Sequence, residues 1–597
     1  MKKTVLATTV TSLFFAAPNI YAQSPSDVET MVVTATRFEQ SLQTSTLPVE
    51  VITKEEINAI QAKSVSEILR RLPGVQIASN GGYGQSQSIF VRGTESDHVL
   101  FLVDGVRIAS ATTGTASVSA IPVVAIERIE FIRGSRGAVY GSDAIGGVIN
   151  IITKTDRDEG ALAVGIGSDK FSQGQISVSK NVSEKLNASF AANKSRTEGF
   201  SVTDTAGSED DDGYKSDDII ASADYKINDK YSIDIQTFYH EGEVEYDAGN
   251  RYKDERIFNV AGTLNFQNDT LDSKLQLAVN QDSAKSHTPG GVSLYQTDRK
   301  SLLFANQYRV NDDLSIGAGL DWYRDDVSKS SANFTETSRH NTALYLSSLY
   351  DKHDYQIEGA VRTDDNERYG RNTTWQLGGG WNVNENYRLT ANVGTAFKAP
   401  SFNDLYSPFG GVATLKPEES VNYEVALESS AELFDWRVAA YVNQIDELID
   451  WRPQGLNYSP QNIGEAEIKG VEFLVNFETG DFSHNISIDI MDPQDKESNR
   501  QLARRAKESA KWNITYYADK WQADISYLYQ GTRYDYPSSG KVKLDAYSLV
   551  DLSVSYDVLD SLTLRGRVAN LFDEDYVLAN GYNTQKRAYF GTLEYRF

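Results

Sequence analysis

Apolar and polar residues alternate along most of the chain from about residue 156 to the C-terminus. In YSLVDLSVSYDV (547–558), valine and leucine on one face alternate with aspartate and serine on the other, and WRVAAYVNQ (436–444) and SLTLRGRVANLF (561–572) follow the same pattern. A period of two residues is that of a β-strand with one apolar and one polar face. These segments therefore predict a long series of strands.

The strands predicted after residue 156 suit a transmembrane antiparallel β-barrel. Each strand of such a barrel alternates a lipid-facing apolar side with a polar lumen side, and aromatic girdles lie at both membrane interfaces. The chain has 33 Tyr, 24 Phe and 7 Trp but only 13 Pro, and its last segment, TLEYRF, ends on Phe597. At about 20 residues per strand and connection, the region holds roughly 22 strands, a size whose lumen is plugged. A β-sandwich would have shorter strands.

Residues 41–155 follow a different pattern, that of a small mixed α/β domain. Helices are predicted in TKEEINAI (53–60) and SVSEILRRLPGV (64–75), because each has Thr or Ser ahead of acidic first-turn residues. Short apolar strands bounded by glycine are predicted in VEVIT (49–53), SIFVRG (88–93), HVLFLVDGV (98–106), IERIEFIRG (126–134) and GGVINIIT (146–153). A domain of this size can fill the lumen of the predicted barrel.

The N-terminus has the features of a secretory signal peptide. Lys2 and Lys3 precede a largely apolar stretch, and NIYAQ predicts cleavage after Ala22. Beyond this leader no apolar run reaches the roughly 18 residues that a membrane-spanning helix needs. The chain has no cysteine and a formal net charge of −25. These values exclude a disulfide framework and argue against nucleic acid as a partner.

Several segments resemble the TonB-dependent outer-membrane transporters. RRLPGVQI, SIFVRGT, HVLFLVDGVR and IERIEFIRGSRGAVYGSDAIGGVINIIT are similar to the plug domain of that family, and AFKAPSFNDLY, LKPEESVNYEVALE, EIKGVEFLV and VANLFDEDYVLANGY are similar to its barrel. The resemblance implies a signal peptide (1–22), a periplasmic segment (23–40), a plug domain (41–155) inside the lumen and a β-barrel (156–597). It also implies location in the outer membrane of a Gram-negative bacterium.

The segment ETMVVTA (29–35) is similar to the TonB box, with which members of this family bind the energy-coupling protein TonB. The residues of the box are Glu29, Thr30, Met31, Val32, Val33, Thr34 and Ala35. Binding by strand addition depends on main-chain hydrogen bonds, so the segment needs strand propensity more than particular side chains. We expect the C-terminal domain of TonB, with its inner-membrane energising complex, to pair with it.

The resemblance is greatest to the members of the family that import cobalamin, through NGGYGQSQSIFVRGT, GAVYGSDAIGG and LARRAKESAKW. It implies uptake of cobalamin and related corrinoids, driven by TonB and the proton-motive force. Positions that match ligand contacts of the family are Ser86, Ser88, Glu95, Thr113, Gly114, Ala248, Arg504 and Tyr536. Ser86, Glu95 and Thr113 depart from the family pattern, which has Leu, Asn and Val.

The same resemblance implies structural Ca²⁺ in the extracellular loops. Its expected ligands lie in SEDDDGY (208–214) and EYDAGNRYKDE (245–255), and they are Ser208, Asp210, Asp212, Tyr246, Asp247, Ala248 and Asp254. Ca²⁺ takes six to eight oxygen ligands, and crowded carboxylates repel one another unless a cation lies among them. Ser208 replaces a side-chain amide of the pattern and Ser201 an Asp, so weaker calcium binding is expected.

Other classes of protein fit the sequence less well. Six scattered His residues and no nucleophile motif argue against an enzyme, and no catalytic cofactor is expected. A passive porin would have neither plug nor TonB box. The alternative is a TonB-dependent receptor for a ferric siderophore or another bulky ligand. The expected chain is a monomer, and its other expected partners are lipopolysaccharide and outer-membrane lipids and, downstream, a periplasmic cobalamin-binding protein.

Overall fold

The computed structural model describes residues 32–33, 37–38, 40–41, 45–203, 210–246, 251–431, 434–454 and 457–597. The predicted signal peptide lies outside these residues. Within them, 22 long strands close into an antiparallel barrel around an N-terminal plug, as the alternation predicts. The barrel closes where the first strand pairs with the last, with Leu162 opposite Tyr595.

The barrel strands follow the chain in order around the wall. They are β10 (Glu159–Gly167), β11 (Ser172–Ser183), β12 (Leu186–Phe200), β13 (Asp212–Lys226), β14 (Tyr231–Glu245), β15 (Tyr252–Gln267), β16 (Leu271–Thr288), β17 (Gly291–Arg309), β18 (Leu314–Asp326), β19 (Ser338–Lys352), β20 (Tyr355–Asn366), β21 (Gly370–Asn382), β22 (Tyr387–Lys398), β23 (Glu418–Ala431), β24 (Phe434–Gln454), β25 (Asn457–Thr479), β26 (Phe482–Asp495), β28 (Glu508–Tyr517), β29 (Trp521–Gln530), β32 (Tyr547–Leu559), β33 (Leu562–Ala569) and β34 (Ala588–Arg596). Three short strands lie in the loops, namely β27 (Arg500–Gln501), β30 (Arg533–Asp535) and β31 (Val542–Leu544).

Polar side chains of the barrel are buried and apolar ones are exposed, the reverse of a water-soluble protein. On β32 and β33, Asp551 is 3% exposed and Arg567 3%, because both face the plug. Leu564, on the other face of β33, is 52% exposed. This is the expected distribution for strands whose outer face meets lipid.

The two rims of the barrel differ in the length of their connections. One rim carries turns such as 184–185, 353–354 and 560–561, and the other carries loops such as 327–337, 399–417 and 570–587. In outer-membrane barrels the short turns are periplasmic and the long loops extracellular. Exposed aromatic side chains form a girdle near the short-turn rim: Tyr231, Tyr308, Tyr355, Trp381, Tyr387 and Trp521.

The plug contains a five-stranded mixed sheet and short helices. The sheet has the order β3 (Val49–Thr53), β8 (Arg128–Arg133), β9 (Gly147–Ile152), β6 (Val99–Val103) and β7 (Val106–Arg107), and β6 runs parallel to β9. A separate hairpin joins β4 (Val75–Ser79) to β5 (Gln87–Val91). Every plug strand segment predicted from sequence overlaps one of these strands, whereas β4 and β7 were not predicted as separate strands.

Both predicted plug helices are present and begin at the predicted caps. Helix α1 (Lys54–Ile60) has a capping box in which Thr53 and Glu56 bond reciprocally. Helix α2 (Val65–Leu69) is capped by Ser64 and ends before Pro73. The other helices are α3 (Gly137–Tyr140) in the plug and α4 (Phe402–Tyr406) in a barrel loop. No helix in the described ranges is both long and apolar enough to cross a membrane.

Candidate functional site

Two loops of the plug rise to the extracellular side of the lumen. The first apex, residues 80–95, includes the turn before β5 and the turn after it, and the second apex, residues 108–117, follows β7. Gln85 of the first apex donates its side-chain N–H to the carbonyl of Glu245, at the end of β14, at 2.6 Å. Gly84 has φ +74°, and a Cβ there would lie 2.4 Å from the ring of Tyr214. Glycine therefore lets the first apex approach the wall.

The structure places five of the predicted ligand contacts on these apices. Ser86 is exposed at the first apex, and Ser88 lies on β5, half-buried. Glu95 follows the same strand. Thr113 and Gly114 lie on the second apex, where Gly114 adopts φ +80°. The two apices come close together at Asp97, which follows the first apex. Its Cβ lies 3.6 Å from the point that a Cβ would occupy if Gly114 had a side chain.

Arg505, in the extracellular loop between β26 and β28, fixes the first apex to the barrel. Its guanidinium is 2.6 Å from the Glu95 carboxylate and donates to the carbonyl oxygens of Gly93 (3.2 Å) and Thr94 (3.4 Å). It also lies over the ring of Phe90, 4.0 Å from the centroid. Arg505 is 3% exposed and the Glu95 side chain 34%, so the guanidinium end of the ion pair is shielded from water. The apex position of Glu95 is thus set by a barrel residue.

The predicted contacts Arg504 and Tyr536 lie beside this anchor. Arg504 Nε donates to Asp535 at 2.9 Å, and the Tyr536 hydroxyl donates to the carbonyl of Gln501 at 2.9 Å. The loop between β26 and β28 therefore joins the loop between β29 and β32 and also holds the plug. Ala248, the remaining predicted contact, lies outside the described residues.

A buried charged cluster holds the base of both apices. His98 is fully buried, its Nε2 lies 2.7 Å from Glu418, and its Nδ1 accepts the backbone N–H of Glu95 at 3.2 Å. Lys398 is 2.9 Å from Asp97 and 3.4 Å from Glu418. Burial alone would raise the pKa of Asp97, but the Lys398 ammonium holds it below its ordinary value. Apex positions are therefore coupled to β22 and β23.

Four of the predicted calcium ligands are described, and they lie on the extracellular rim of β13, β14 and β15. Asp210 is exposed ahead of β13, and Asp212 accepts the backbone N–H of Val202 at 2.8 Å. Tyr246 follows β14, and Asp254 on β15 lies 3.0 Å from His287 Nε2. Asp212 is buried at 8% exposure, whereas the Asp254 side chain is 44% exposed and shares the outer face of β15 with Arg256. The structure therefore places the described residues along one part of the rim but does not bring these two carboxylates together.

The other predicted calcium ligands, Ser208, Asp247 and Ala248, lie outside the described residues. Within the part of the chain that is described, no group of three or more His, Cys, Asp or Glu side chains is arranged to hold a metal ion. The calcium assignment therefore stays a prediction.

Deeper in the lumen, two plug arginines share barrel carboxylates. Arg92 forms ion pairs with Glu424 and, at 2.7 Å, with Glu472. Arg133 lies 3.1 Å from the same Glu472 and 2.8 Å from Glu50 of the plug. Of these side chains, all but Glu50 are nearly inaccessible to solvent. The plug is thus held to β23 and β25 by paired charges away from water.

On the periplasmic side, part of the predicted TonB box is described. Val32–Val33 form a two-residue strand, β1, that pairs antiparallel with Gln40–Ser41, β2. Glu29, Thr30, Met31, Thr34 and Ala35 lie outside the described residues. The box therefore includes backbone in strand conformation, and its pairing with TonB stays a prediction.

Arg37, which follows the box, connects it to both the plug and the wall. Its Nε donates to the carbonyl of Val139 at 2.9 Å, and its Nη2 lies 2.9 Å from Asp321 of β18. The guanidinium also lies over the rings of Tyr140 and Tyr345. Arg37 and Asp321 line a cavity of about 730 Å³ between the plug and the barrel on this side.

Sequence reasoning missed the residues that hold the site together. Arg505 lies within LARRAKESAKW, next to the predicted Arg504, and a second Arg in the same motif was the available signal. The Arg92–Glu472 and Arg37–Asp321 pairs join residues 380 and 284 positions apart. No local pattern could have linked them.

Comparison with family models matches both regions of the chain. Residues 41–148 match the TonB-dependent Receptor Plug Domain, and residues 157–571 match the model described as TonB dependent receptor-like, beta-barrel.

Curated relatives and solved structures extend the comparison to the whole chain. The chain is 46% identical to "Vitamin B12 transporter BtuB" of Photobacterium profundum and 37% identical to that of Vibrio vulnificus, with 100% of each chain covered. A mutant ferric enterobactin receptor (PfeA) of Pseudomonas aeruginosa in complex with enterobactin has a TM-score of 0.81 at 18% identity, covering 93% of this chain and 100% of that one. The siderophore receptor PirA of Acinetobacter baumannii has a TM-score of 0.79 at 19% identity, covering 92% and 98%.

Proposed function

The chain belongs to the TonB-dependent receptor family, and from that premise we propose that it imports cobalamin across the outer membrane of a Gram-negative bacterium. The observation that carries the cargo is the similarity over full length to relatives named Vitamin B12 transporter BtuB. The siderophore receptors are 18–19% identical, so they bear on the fold and not on the cargo.

The arrangement of plug and barrel supports active import over passive diffusion. The plug fills the lumen and is held by buried ion pairs such as Arg92–Glu472. A bulky corrinoid can pass only if the plug moves, and moving it requires work because buried charges must be separated or hydrated. TonB, drawing on the proton-motive force, supplies that work in this proposal.

The TonB box is the segment that TonB would bind and pull. In the structure β1 and β2 form two residue pairs, Val32 with Ser41 and Val33 with Gln40. So short a pairing costs little to exchange for a strand of TonB, which would add main-chain hydrogen bonds to the same backbone. Force on the box then reaches Arg37 and, through its bond to Val139, helix α3 of the plug.

Cobalamin is proposed to bind over the two plug apices, on the extracellular side. Ser86, Ser88, Glu95, Thr113 and Gly114 come from the plug, and Arg504 and Tyr536 come from the wall. Support for a shared site comes from Arg505, which joins Glu95 to the loop that contains Arg504. A ligand that contacts both sides would sense the position of the plug relative to the barrel.

We propose that Ca²⁺ orders the loops above this site, held by Ser208, Asp210, Asp212, Tyr246, Asp247, Ala248 and Asp254. The described members of this set lie at the ends of three adjacent strands and offer carboxylate oxygens, which suit a hard cation. The charge of the ion would offset carboxylate repulsion.

The chain acts as a transporter and not as an enzyme, as a monomer, within a leaflet of lipopolysaccharide. It passes cobalamin to a periplasmic cobalamin-binding protein.

The test is equilibrium binding of cyanocobalamin to the purified chain, with Ca²⁺ at millimolar concentration and with Ca²⁺ chelated. Binding that weakens on chelation supports both cargo and calcium site. A matched variant, Asp254→Asn, should lose the calcium dependence, while Asp326→Asn on a distant strand should keep it. Binding that is indifferent to calcium would retain the cargo and remove the metal. No binding, with tight binding of a ferric siderophore, would replace cobalamin by the alternative cargo.

A further inference from the structure

A row of basic side chains crosses the outer face of β17, β18 and β19 near the extracellular rim. Lys300 lies directly opposite Arg324, and Arg324 lies directly opposite His340. All three are exposed on the outer side of the wall. Directly opposed residues have Cβ atoms about 4.5–5.5 Å apart, and like charges in that position are destabilising. An anion placed between Lys300 and Arg324 would relieve the repulsion between their charges.

The described part of the chain supplies little of that compensation. Lys300 has no ion pair there, and the hydrogen bond of the Arg324 guanidinium is to Ser338 Oγ at 3.4 Å. His340, at the end of the row, lies 3.0 Å from Glu367. Lys300 and Arg324 are thus adjacent cations without a carboxylate.

The nearest outward-facing acids are engaged elsewhere. Asp298 and Asp326 lie one step closer to the rim than Lys300 and Arg324. Asp298 forms an ion pair with Lys329 at 2.7 Å and accepts from Gln281, and Asp326 accepts the backbone N–H of Ser328 at 2.9 Å. The two cations therefore remain open to a partner that is not part of the chain.

The position of the row relative to the membrane identifies the kind of partner. One step towards the middle of the wall from Lys300 and Arg324 are Leu302 and Trp322, and further in are Phe304 (44% exposed) and Leu344 (56% exposed). Trp favours the membrane–water interface. The cations therefore lie at headgroup level, just above the acyl chains.

The nearby strands β12 to β15 contain outward-facing cations whose charges are compensated. On β12 to β15, Lys194 lies opposite Asp217 at 2.6 Å, and Arg256 lies opposite Glu241 at 3.1 Å. Lys194 and Arg256 thus each have a carboxylate on a paired strand, whereas Arg196, opposite Lys215, has no ion pair among the described residues. Lys300 and Arg324 differ from Lys194 and Arg256 in having no such carboxylate, so Lys194 and Arg256 provide a matched comparison.

We propose that Lys300 and Arg324, with His340 at the end of the row, bind the phosphate of an outer-leaflet glycolipid headgroup. The Arg guanidinium can donate two parallel N–H bonds to phosphate oxygens, and the Lys ammonium adds a point charge. The lipid's acyl chains would then lie on Leu302, Trp322 and Phe304. This site depends on the outer-membrane location and is independent of the cargo.

The test measures binding of lipid A to the full-length chain in detergent, by native mass spectrometry. The ligands are bisphosphorylated lipid A, its dephosphorylated form and inorganic phosphate. The variants are Lys300→Gln/Arg324→Gln and, as the matched control, Lys194→Gln/Arg256→Gln, whose cations are already paired. Cyanocobalamin binding is measured for each variant to show that the chain is folded, and the single Lys300→Gln variant is available if the double variant misfolds.

The wild type is expected to prefer phosphorylated over dephosphorylated lipid A by about tenfold or more, with weaker binding at higher salt. The Lys300/Arg324 variant should lose this preference and the control should keep it. A preference that survives in the Lys300/Arg324 variant would overturn the assignment. So would equal binding of the two lipids by the wild type, or binding of inorganic phosphate as tight as that of lipid A.

Discussion

Arg37 and Asp321 form an ion pair of 2.9 Å that ties the segment after the TonB box to strand β18 of the barrel. Asp321 also accepts from Arg362, which is itself paired with Asp364. The box is therefore attached to a charged network on the wall and not only to the plug. Force on the box would therefore act on this pair as well as on the bond between Arg37 and Val139 of the plug.

Asp321→Asn should loosen residues 37–38 and 40–41 without reducing cobalamin binding. The change leaves the Arg37 guanidinium without its anionic partner, at a cost of about 1–3 kcal/mol. Hydrogen exchange of the backbone in this segment should become faster, by about tenfold for each 1.4 kcal/mol of lost stabilisation. Asp326→Asn, on the same strand but facing outward, is the control and should have no effect. Unchanged exchange in the Asp321 variant would show that the pair does not hold the segment.

Glu472→Gln should weaken the attachment of the plug more than any single surface change. Glu472 is 1% exposed and serves both Arg92 and Arg133, so its loss leaves buried positive charge uncompensated, at about 3–5 kcal/mol. The measurement is limited proteolysis of the plug in detergent, compared with Glu478→Gln on the same strand. Equal cleavage rates for the two variants would contradict the role of the shared carboxylate.

The attachment of the plug should weaken in acid through Glu67. Burial alone would raise the pKa of Glu67, but the guanidinium groups of Arg567 and Arg70 lower it below the ordinary value of 4.5. A carboxyl whose pKa is lower in the folded state stabilises that state fully above pH 4.5 and loses this contribution as the pH falls through its folded pKa.

Hydrogen exchange of helix α2 between pH 3 and 7, corrected for intrinsic rates, checks this pH dependence. Glu67→Gln should be less protected than the wild type at neutral pH and should change less with pH. A variant that follows the wild-type profile would show that another group controls the acid response.

Val33→Pro should abolish uptake and leave cobalamin binding unchanged. Proline removes the N–H of a residue whose backbone lies in β1, so it interrupts any strand that TonB could extend. Val33→Ile retains the N–H and the strand propensity and is the matched control. The assay is accumulation of labelled cobalamin in cells. Normal uptake by the proline variant would rule out strand addition at this position.

Arg505→Ala should lower the affinity for cobalamin by about tenfold or more, because Glu95 and the carbonyls of Gly93 and Thr94 lose the group that fixes them. Arg505→Lys should recover part of the affinity, since it restores the charge but not the fork of donors. Lys507→Ala, in the same loop but paired with Asp492 on the outside, is the control. Affinity equal to the wild type in Arg505→Ala would show that the apex is positioned without it.

The sequence predicted those strands and helices that are determined by residues close together in the chain. Alternation along each strand is a property of neighbouring residues, and so is the capping box of Thr53 and Glu56. For this reason the barrel and both plug helices could be derived in advance, whereas the figure of roughly 22 strands came from chain length at about 20 residues per strand and connection. Glu95 was found through a motif, but its partner Arg505 was not, since their pairing arises only when the plug lies inside the barrel.

The wall that surrounds the plug is not uniform. On β12 to β15 the plug core packs against Ala191, Ile220, Phe238 and Ile257. On β23 to β33 the plug forms ion pairs with Glu424, Glu472, Asp551 and Arg567, beside a smaller apolar contact made by Ile145. When an ion pair separates, water can hydrate both charges. Exposing buried apolar surface to water, by contrast, costs about 25 cal/mol per Å². A pulled plug should therefore separate first from β23 to β33 and stay in contact with the apolar side chains of β12 to β15. It would then remain attached along one side of the wall and could return to its place after each passage.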